Sequence, residues 1–193
     1  VPTPPLIRPL TADDVPVVVE FSLRAWAPVF ASFRAVLGEP VYEALFPEWR
    51  TAQAKAVEDV CREERTAVWV ADVGDRAVGF VGVRVADGEI HMLAVDPEHQ
   101  RRGIGTALTG YAVERLRAAG VVLAVVGTGG DPGHAAARAT YEKAGFTPFP
   151  QVQYYKRLDR RTPEPPALDP PTAGDPMLAP WKAISCPSGG SPR

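Results

Sequence analysis

The sequence, 193 residues long, has little cysteine, no long apolar run and almost no net charge. Two cysteines, Cys61 and Cys186, are too few for a disulfide framework, and neither sits in a CxxC or Cys/His spacing that would hold a metal. No stretch approaches the roughly 18 consecutive apolar residues of a membrane span. The opening VPTPPLIRPL has no charged segment followed by an apolar one, as a secretory leader would. A net charge of −2, from 21 Lys+Arg against 23 Asp+Glu, argues against a protein whose main task is to neutralise a phosphate backbone. These absences predict a cytoplasmic globular protein with no metal, no nucleic acid and no membrane among its partners. Its hydrophobic content of 46% is ordinary for such a domain.

Proline is abundant, and its placement divides the chain. Twelve of the 21 prolines precede Arg160 and nine fall in the last 34 residues. Residues 1–158 carry periodic patterning and are expected to form one domain. Residues 159–193 show no helical or strand period and read as a Pro-rich tail, disordered or loosely docked. Met177, Leu178 and Trp181 form a small apolar cluster within it.

Within the domain, Leu6 to Leu10 suits a first strand, and Thr11-Ala-Asp-Asp14 has the form of a capping box. Val15, Val18, Val19, Ser22, Trp26, Phe30 and Phe33 then recur at helical spacing, with Pro28 expected to kink or end that helix. A second helical region runs from about Glu48 to Glu64. AVWVAD, RAVGFVGVRVAD and EIHMLAVD read as three consecutive strands with turns at Gly74-Asp75 and Asp87-Gly88. A helix from about Gly103 to Ala119 follows, stopped by Gly120. VVLAVV reads as a strand buried on both faces. A helix over about 134–144 ends at Gly145, and a last strand pair is expected within Phe146–Leu158. The pattern predicts an α/β fold: a mixed, mostly antiparallel sheet flanked by helices.

The window Ile90–Thr106, IHMLAVDPEHQRRGIGT, carries the most chemistry. A strand ends at Val95, Asp96-Pro97 opens a loop, and Gln100-Arg101-Arg102-Gly103-Ile104-Gly105 leads into a helix. Gly103 and Gly105 let a ligand approach their amides, which sit at a helix start that favours an anion. Arg101 and Arg102 add positive charge, so the physical reading is a pyrophosphate cradle. A dinucleotide fingerprint fails because Leu108 holds the third glycine position, and a P-loop fails because no Lys follows the glycines.

The Gln-x-x-Gly-x-Gly pattern after a strand and an Asp-Pro loop resembles the GNAT N-acetyltransferase superfamily. A second signature, His134–Phe146 (HAAARATYEKAGF), is similar to that family's N-x-x-A-x-x-[FL]-Y-E-K-x-G-F segment. His134 stands where the family often has Asn, and Thr140 replaces the usual Phe or Leu. The resemblance covers about residues 5–158. It implies a GNAT-like fold in which acetyl-CoA, as co-substrate, lies in a split between the fourth and fifth strands. The backbone of Leu93 and Val95 would then pair with the pantetheine. The amides from Arg101 through Arg102, Gly103, Ile104 and Gly105 to Thr106 would hold the pyrophosphate, and His134 would contact the pantetheine. Tyr141 takes the place of the tyrosine near the CoA sulfur.

Acetyl transfer needs a neutral amine, a donor for the developing oxyanion, and a proton or hydrogen bond for the departing thiolate. Tyr141 suits the last. For the base, Glu89 and His91 are two apart on one strand and are expected to share a face with Leu93 and Val95. Glu89 takes the position used as base in histone-acetylating relatives, and His91 could share or replace the role. The aromatics Trp26, Phe30, Phe33, Tyr42, Phe46 and Trp49 are mostly core, with one or two lining an acceptor pocket. Glu20, Glu39, Glu43 and Glu48 are available carboxylates for a cationic acceptor. The expected function is acetyl transfer to a primary amine of a small molecule or peptide by direct attack. The alternative is a non-catalytic acyl-CoA-binding or sensing module whose tail recruits a partner. A homodimer is left open as the assembly.

Overall fold

The computed structural model describes residues 5–158, so the Pro-rich tail falls outside the described residues. Five strands form one sheet in the order β1 (Leu6–Pro9), β2 (Ala67–Val73), β3 (Arg76–Arg84), β4 (Glu89–Val95) and β5 (Val125–Val126). The first four pair antiparallel in sequence order, and only β4 and β5 run parallel. The alternation expected of half-buried strands puts two separate apolar layers on the two faces of this sheet. On one face α1 (Val15–Leu37) and α3 (Trp49–Arg62) bury Val18, Phe21, Val57 and Val60 against Val70, Phe80, Met92 and Ala94. On the other, α4 (Ile104–Ala118) buries Ile104, Leu108 and Leu116 against Val81, Val83, Ile90 and Val95.

The capping segment forms as expected. Thr11 N–H and Oγ1 both donate to Asp14 Oδ2, at 2.7 and 2.8 Å. Arg8 of β1 bridges Asp14 and Asp72 of β2, at 2.7 and 2.6 Å. The Arg8 hydrogen bond holds the Asp14 carboxyl far below its ordinary range, against the upward pull of burial.

Four expectations need correction. Pro28 neither ends nor divides α1, which runs unbroken from Val15 to Leu37. The missing N–H costs one intrahelical bond, but buried Phe21 and Ser22 on one side and Val29 and Phe30 on the other anchor both halves. That merger also makes residues 12–37 long and apolar enough to cross a bilayer by length and composition, although its apolar stripe packs on the sheet. A short helix, α2 (Glu39–Leu45), precedes α3.

The VVLAVV run is not a buried strand. Only Val125 and Val126 pair, with Glu89 and Ile90, while Val122 is fully exposed and Leu123 is 82% exposed. No strand pair forms within 146–158 either. Pro148 and Pro150 lack the N–H that a ladder needs there, and Phe149, Val152 and Tyr154 face solvent. The last helix is α5 (Ala135–Lys143), which closes the described fold.

Candidate active site

The pairing of β4 with β5 stops after Glu89↔Val125 and Ile90↔Val126, yet β4 continues to Val95. The two strands therefore part, and among the described residues the edge of β4 beyond Ile90 has no strand neighbour on this side. The register shows which groups that edge presents. Asp96 N–H donates to Val78 C=O at 2.8 Å, which makes Val78 and Asp96 a hydrogen-bonded pair of the antiparallel ladder. The next residues along alternate, so Val95 (opposite Gly79) and Leu93 (opposite Val81) turn their N–H and C=O away from β3 into the opening. Gln100 Nε2 reaches Val95 C=O from that side at 3.0 Å, consistent with this direction.

The loop after β4 then turns the chain into α4. Asp96 caps a short turn at Pro97–His99 and also accepts from Arg24 of α1 at 3.0 Å. Arg101 has φ +63° and Gly103 φ +84°, left-handed conformations of the kind that gather successive amides into an anion-binding concavity. A non-glycine residue held there is rare and stores strain of the kind found at ligand clamps. No side chain caps α4, and its first backbone bond runs from Ala107 N–H to Gly103 C=O at 2.9 Å. The amides of Ile104, Gly105 and Thr106 thus lack helical partners and sit at the positive end of the helix dipole. Arg101, Gly103, Gly105 and Thr106 line the opening; Ile104 buries its side chain in the core, and the Arg102 side chain is exposed, so these two offer only their backbone.

The opening is a cleft of about 810 Å³, within the range of small-molecule sites. One wall is Leu93 and Val95; another is Trp26, Phe30 and Phe33 of α1; a third is His134, Thr140 and Tyr141. Trp49 and Phe46 do not reach it but stack behind Phe30 and Phe33, with ring centroids 4.1 and 5.3 Å apart. None of Glu20, Glu39, Glu43 and Glu48 is among the lining residues. The Tyr141 phenol is pushed up to about 12 by burial, so it is protonated at neutral pH.

Glu89 is not where the alternation placed it. Gly82 pairs with Met92 and Val83 with Ile90, so His91 is an extra residue, a β-bulge. The bulge reverses the facing: Leu93 and Val95 lie on the α4 side, while Glu89 lies with Arg84 toward the end of α3. The Glu89 carboxylate is buried, 3.6 Å from Arg84 and 3.3 Å from His91 Nδ1, and only His91 lines the cleft. The Glu89 carboxylate is not among the residues that line the cleft, so it does not reach an acceptor directly.

Two polar groups were missed in the sequence. Gln53 of α3 is 2% exposed and lines the cleft with its amide nitrogen unpartnered, on a helix face that reads as plain amphipathic. Asp131, bonded to His134, was also overlooked, although Asp131-Pro132-Gly133-His134 repeats the Asp96-Pro97-Glu98-His99 pattern and so was visible.

The sequence matches the Acetyltransferase (GNAT) family over residues 31–146. It is 46% identical over 83 residues to a mycothiol acetyltransferase of Beutenbergia cavernae, covering 41% of this chain and 27% of that protein. It is 30% identical over 177 residues to a mycothiol acetyltransferase of Rhodococcus opacus, covering 79% of this chain and 55% of that protein. The chain thus spans about half, or less, of the length of these relatives. Among solved structures, the PaiA N-acetyltransferase of Thermoplasma acidophilum in complex with coenzyme A superposes with a TM-score of 0.57 at 17% identity, covering 74% of this chain and 89% of that one. At that identity the likeness speaks for the fold alone.

Proposed function

The chain belongs to the GNAT acetyltransferase family, and from that premise we propose that it moves the acetyl group of acetyl-CoA to a primary amine of a small molecule or peptide by direct attack. The observation that carries this reading is the unpaired edge of β4 leading into the uncapped start of α4. An extended amide-bearing arm would be satisfied by Leu93 and Val95, and a pyrophosphate by the amides from Arg101 to Thr106. Both sites lie along one continuous cleft, in the order that such a molecule requires. The names of the two mycothiol acetyltransferases favour a small-molecule acceptor within this proposal.

Acetyl-CoA supplies the activated carbonyl; the chain's own residues bind, orient and move protons. The β4 edge aligns the thioester, and Trp26, Phe30 and Phe33 exclude water from the acceptor side. Tyr141 faces the departing sulfur in this proposal. A phenol at about 12 opposite a thiol of ordinary pKa about 8.5 would surrender its proton at a cost of roughly 5 kcal/mol. Tyr141 therefore serves first as a hydrogen-bond donor to sulfur and passes a proton only as another replaces it. Glu89 stands beside His91 without a hydrogen bond, and His91 lines the acceptor side of the cleft. Cys61 has no part: burial pushes its thiol up to about 12, and it does not line the cleft.

Release of CoA thiol from acetyl-CoA across a panel of primary amines, with mass spectrometry of the amine, tests the proposal. Stoichiometric CoA and N-acetyl product are expected for at least one amine. Binding of acetyl-CoA without turnover across the panel would instead select the sensing module.

A further inference from the structure

The sequence contains Asp-Pro-x-His twice, and the structure folds both copies into the same turn. Asp96 caps the turn Pro97–His99 and Asp131 caps the turn Pro132–His134. Their surroundings differ through one helix. At the first copy α1 supplies Arg24, whose guanidinium takes the Asp96 carboxylate at 3.0 Å, and His99 Nδ1 is left 4.0 Å away. At the second copy α1 supplies the uncharged Ser32, and Asp131 Oδ1 meets His134 Nδ1 at 2.5 Å. His134 lines the cleft and His99 does not.

The second turn is built for this contact. Gly133 N–H donates to both Ser32 Oγ (2.9 Å) and Asp131 Oδ2 (3.0 Å). Arg138 clamps the backbone through Gly129 C=O (2.6 Å) and Asp131 C=O (2.8 Å). A Cβ at Gly129 would lie 2.5 Å from His134 Nδ1, and one at Gly133 2.7 Å from Ser32 Cβ, so both positions must be bare. Burial would raise the Asp131 carboxyl, but hydrogen bonds from Ser32, His134 and Gly133 outweigh it and hold it below the ordinary value. An ionised carboxylate only accepts, so His134 Nδ1 turns its hydrogen to Asp131, and Nε2 is the nitrogen left to exchange a proton with a ligand. The Phe33 ring, 5.4 Å away, packs beside the imidazole.

Two imidazole–carboxylate pairs therefore serve one cleft. In the pair from β4, Glu89 is shared with Arg84 and stands 3.3 Å from His91 without a hydrogen bond. Among the described residues, the other charged or titratable groups lining the cleft are Arg101, Tyr141 and Lys143, with no carboxylate. We propose that His134, positioned by Asp131 and Ser32, is the base that takes the proton from the incoming acceptor ammonium. This assignment rests on the acetyltransfer reading and takes the place of the pantetheine contact that the family resemblance implied for His134.

The protons balance. His134 Nε2 takes one hydrogen from the ammonium and releases it to solvent. The neutral amine nitrogen forms a bond to the carbonyl carbon, and the carbon–sulfur bond breaks with its electron pair leaving on sulfur. A second hydrogen passes from nitrogen to sulfur by way of the Tyr141 hydroxyl. The third stays on the amide.

Two small probe amines separate a base from a structural role: ethylamine, charged at neutral pH, and methoxyamine, uncharged there. With His134→Gln, turnover of acetyl-CoA with ethylamine should fall about 100-fold or more, the size expected for losing a general base. Turnover with methoxyamine should stay within about threefold, and acetyl-CoA affinity by calorimetry should hold, which also reports an intact fold. Asp131→Asn should reproduce the same selectivity for the charged amine in weaker form, whereas Glu89→Gln should change both amines by one common factor. Equal loss with both amines for His134→Gln, or weakened acetyl-CoA binding with kcat retained, would overturn the assignment. Wild-type protein that turns over no amine at all would overturn the acetyltransfer reading itself, and this assignment with it.

Discussion

At the scale of single residues the site depends on which groups can touch the cleft. Tyr141 does, and its proton is held tightly by burial. Tyr141→Phe should lower kcat by about 100-fold while acetyl-CoA affinity changes less than about twofold, because only a contact made to the developing thiolate is lost. Steady-state kinetics beside calorimetry would show it, and unchanged turnover would remove Tyr141 from the reaction. Gly105 offers a second test. A Cβ there would meet only Val95 and Thr140, at 3.8 and 3.9 Å, so the backbone tolerates a side chain. Gly105→Glu should leave the melting temperature intact, since a carboxylate suits a helix start. It should weaken CoA binding at least about tenfold by occupying the anion's place. Tyr141 and the glycines were legible in the sequence because motif spacing reports them. Asp131 was legible only as a repeat of the Asp96 turn; its contact with Ser32, 99 positions earlier in the chain, was not.

Elements show why alternation misled for Glu89. A period of two assigns Glu89, His91, Leu93 and Val95 to one face, and one inserted residue at the bulge reverses that for everything before it. No residue in EIHMLAV announces the insertion, which answers to its partner strand. The helices were easier, since caps and turns are local. The junction of β1, β2 and α1 through Arg8, Asp14 and Asp72 is the strongest of these. Asp14→Ala removes a cap and leaves a part-buried guanidinium with one partner fewer, a loss of roughly 2–4 kcal/mol. Thermal denaturation should record a fall of about 5–10 °C for a domain of this size. A shift under about 2 °C would mean that Asp72 alone holds Arg8.

For the whole molecule, two carboxylates join one element to another. Asp14 joins β1 to α1, and Glu63 joins the end of α3 to Arg84 of β3. Burial raises the Glu63 carboxyl, but hydrogen bonds from Thr66, Arg65 and Arg84 bring it down to about 2 from the ordinary 4.5. A depressed carboxyl stabilises the fold above its unfolded value, and that contribution disappears as pH falls through the folded one. The melting temperature should therefore drop between pH 4.5 and about 2, and Glu63→Gln should flatten that drop while lowering the value at neutral pH. The first four strands and the presence of helices flanking the sheet were readable from periodicity and turns. The extent of β5 and the state of 146–158 were not, because an apolar run reads the same whether or not a neighbouring strand covers it. That short β5 is also what opens the cleft at the parted edge of β4. A crystal structure with CoA should show pyrophosphate oxygens at hydrogen-bond distance from the amides of Gly103 to Thr106, and the sulfur beside Tyr141. CoA seated elsewhere, with the β4 edge at Leu93 and Val95 empty, would contradict this placement.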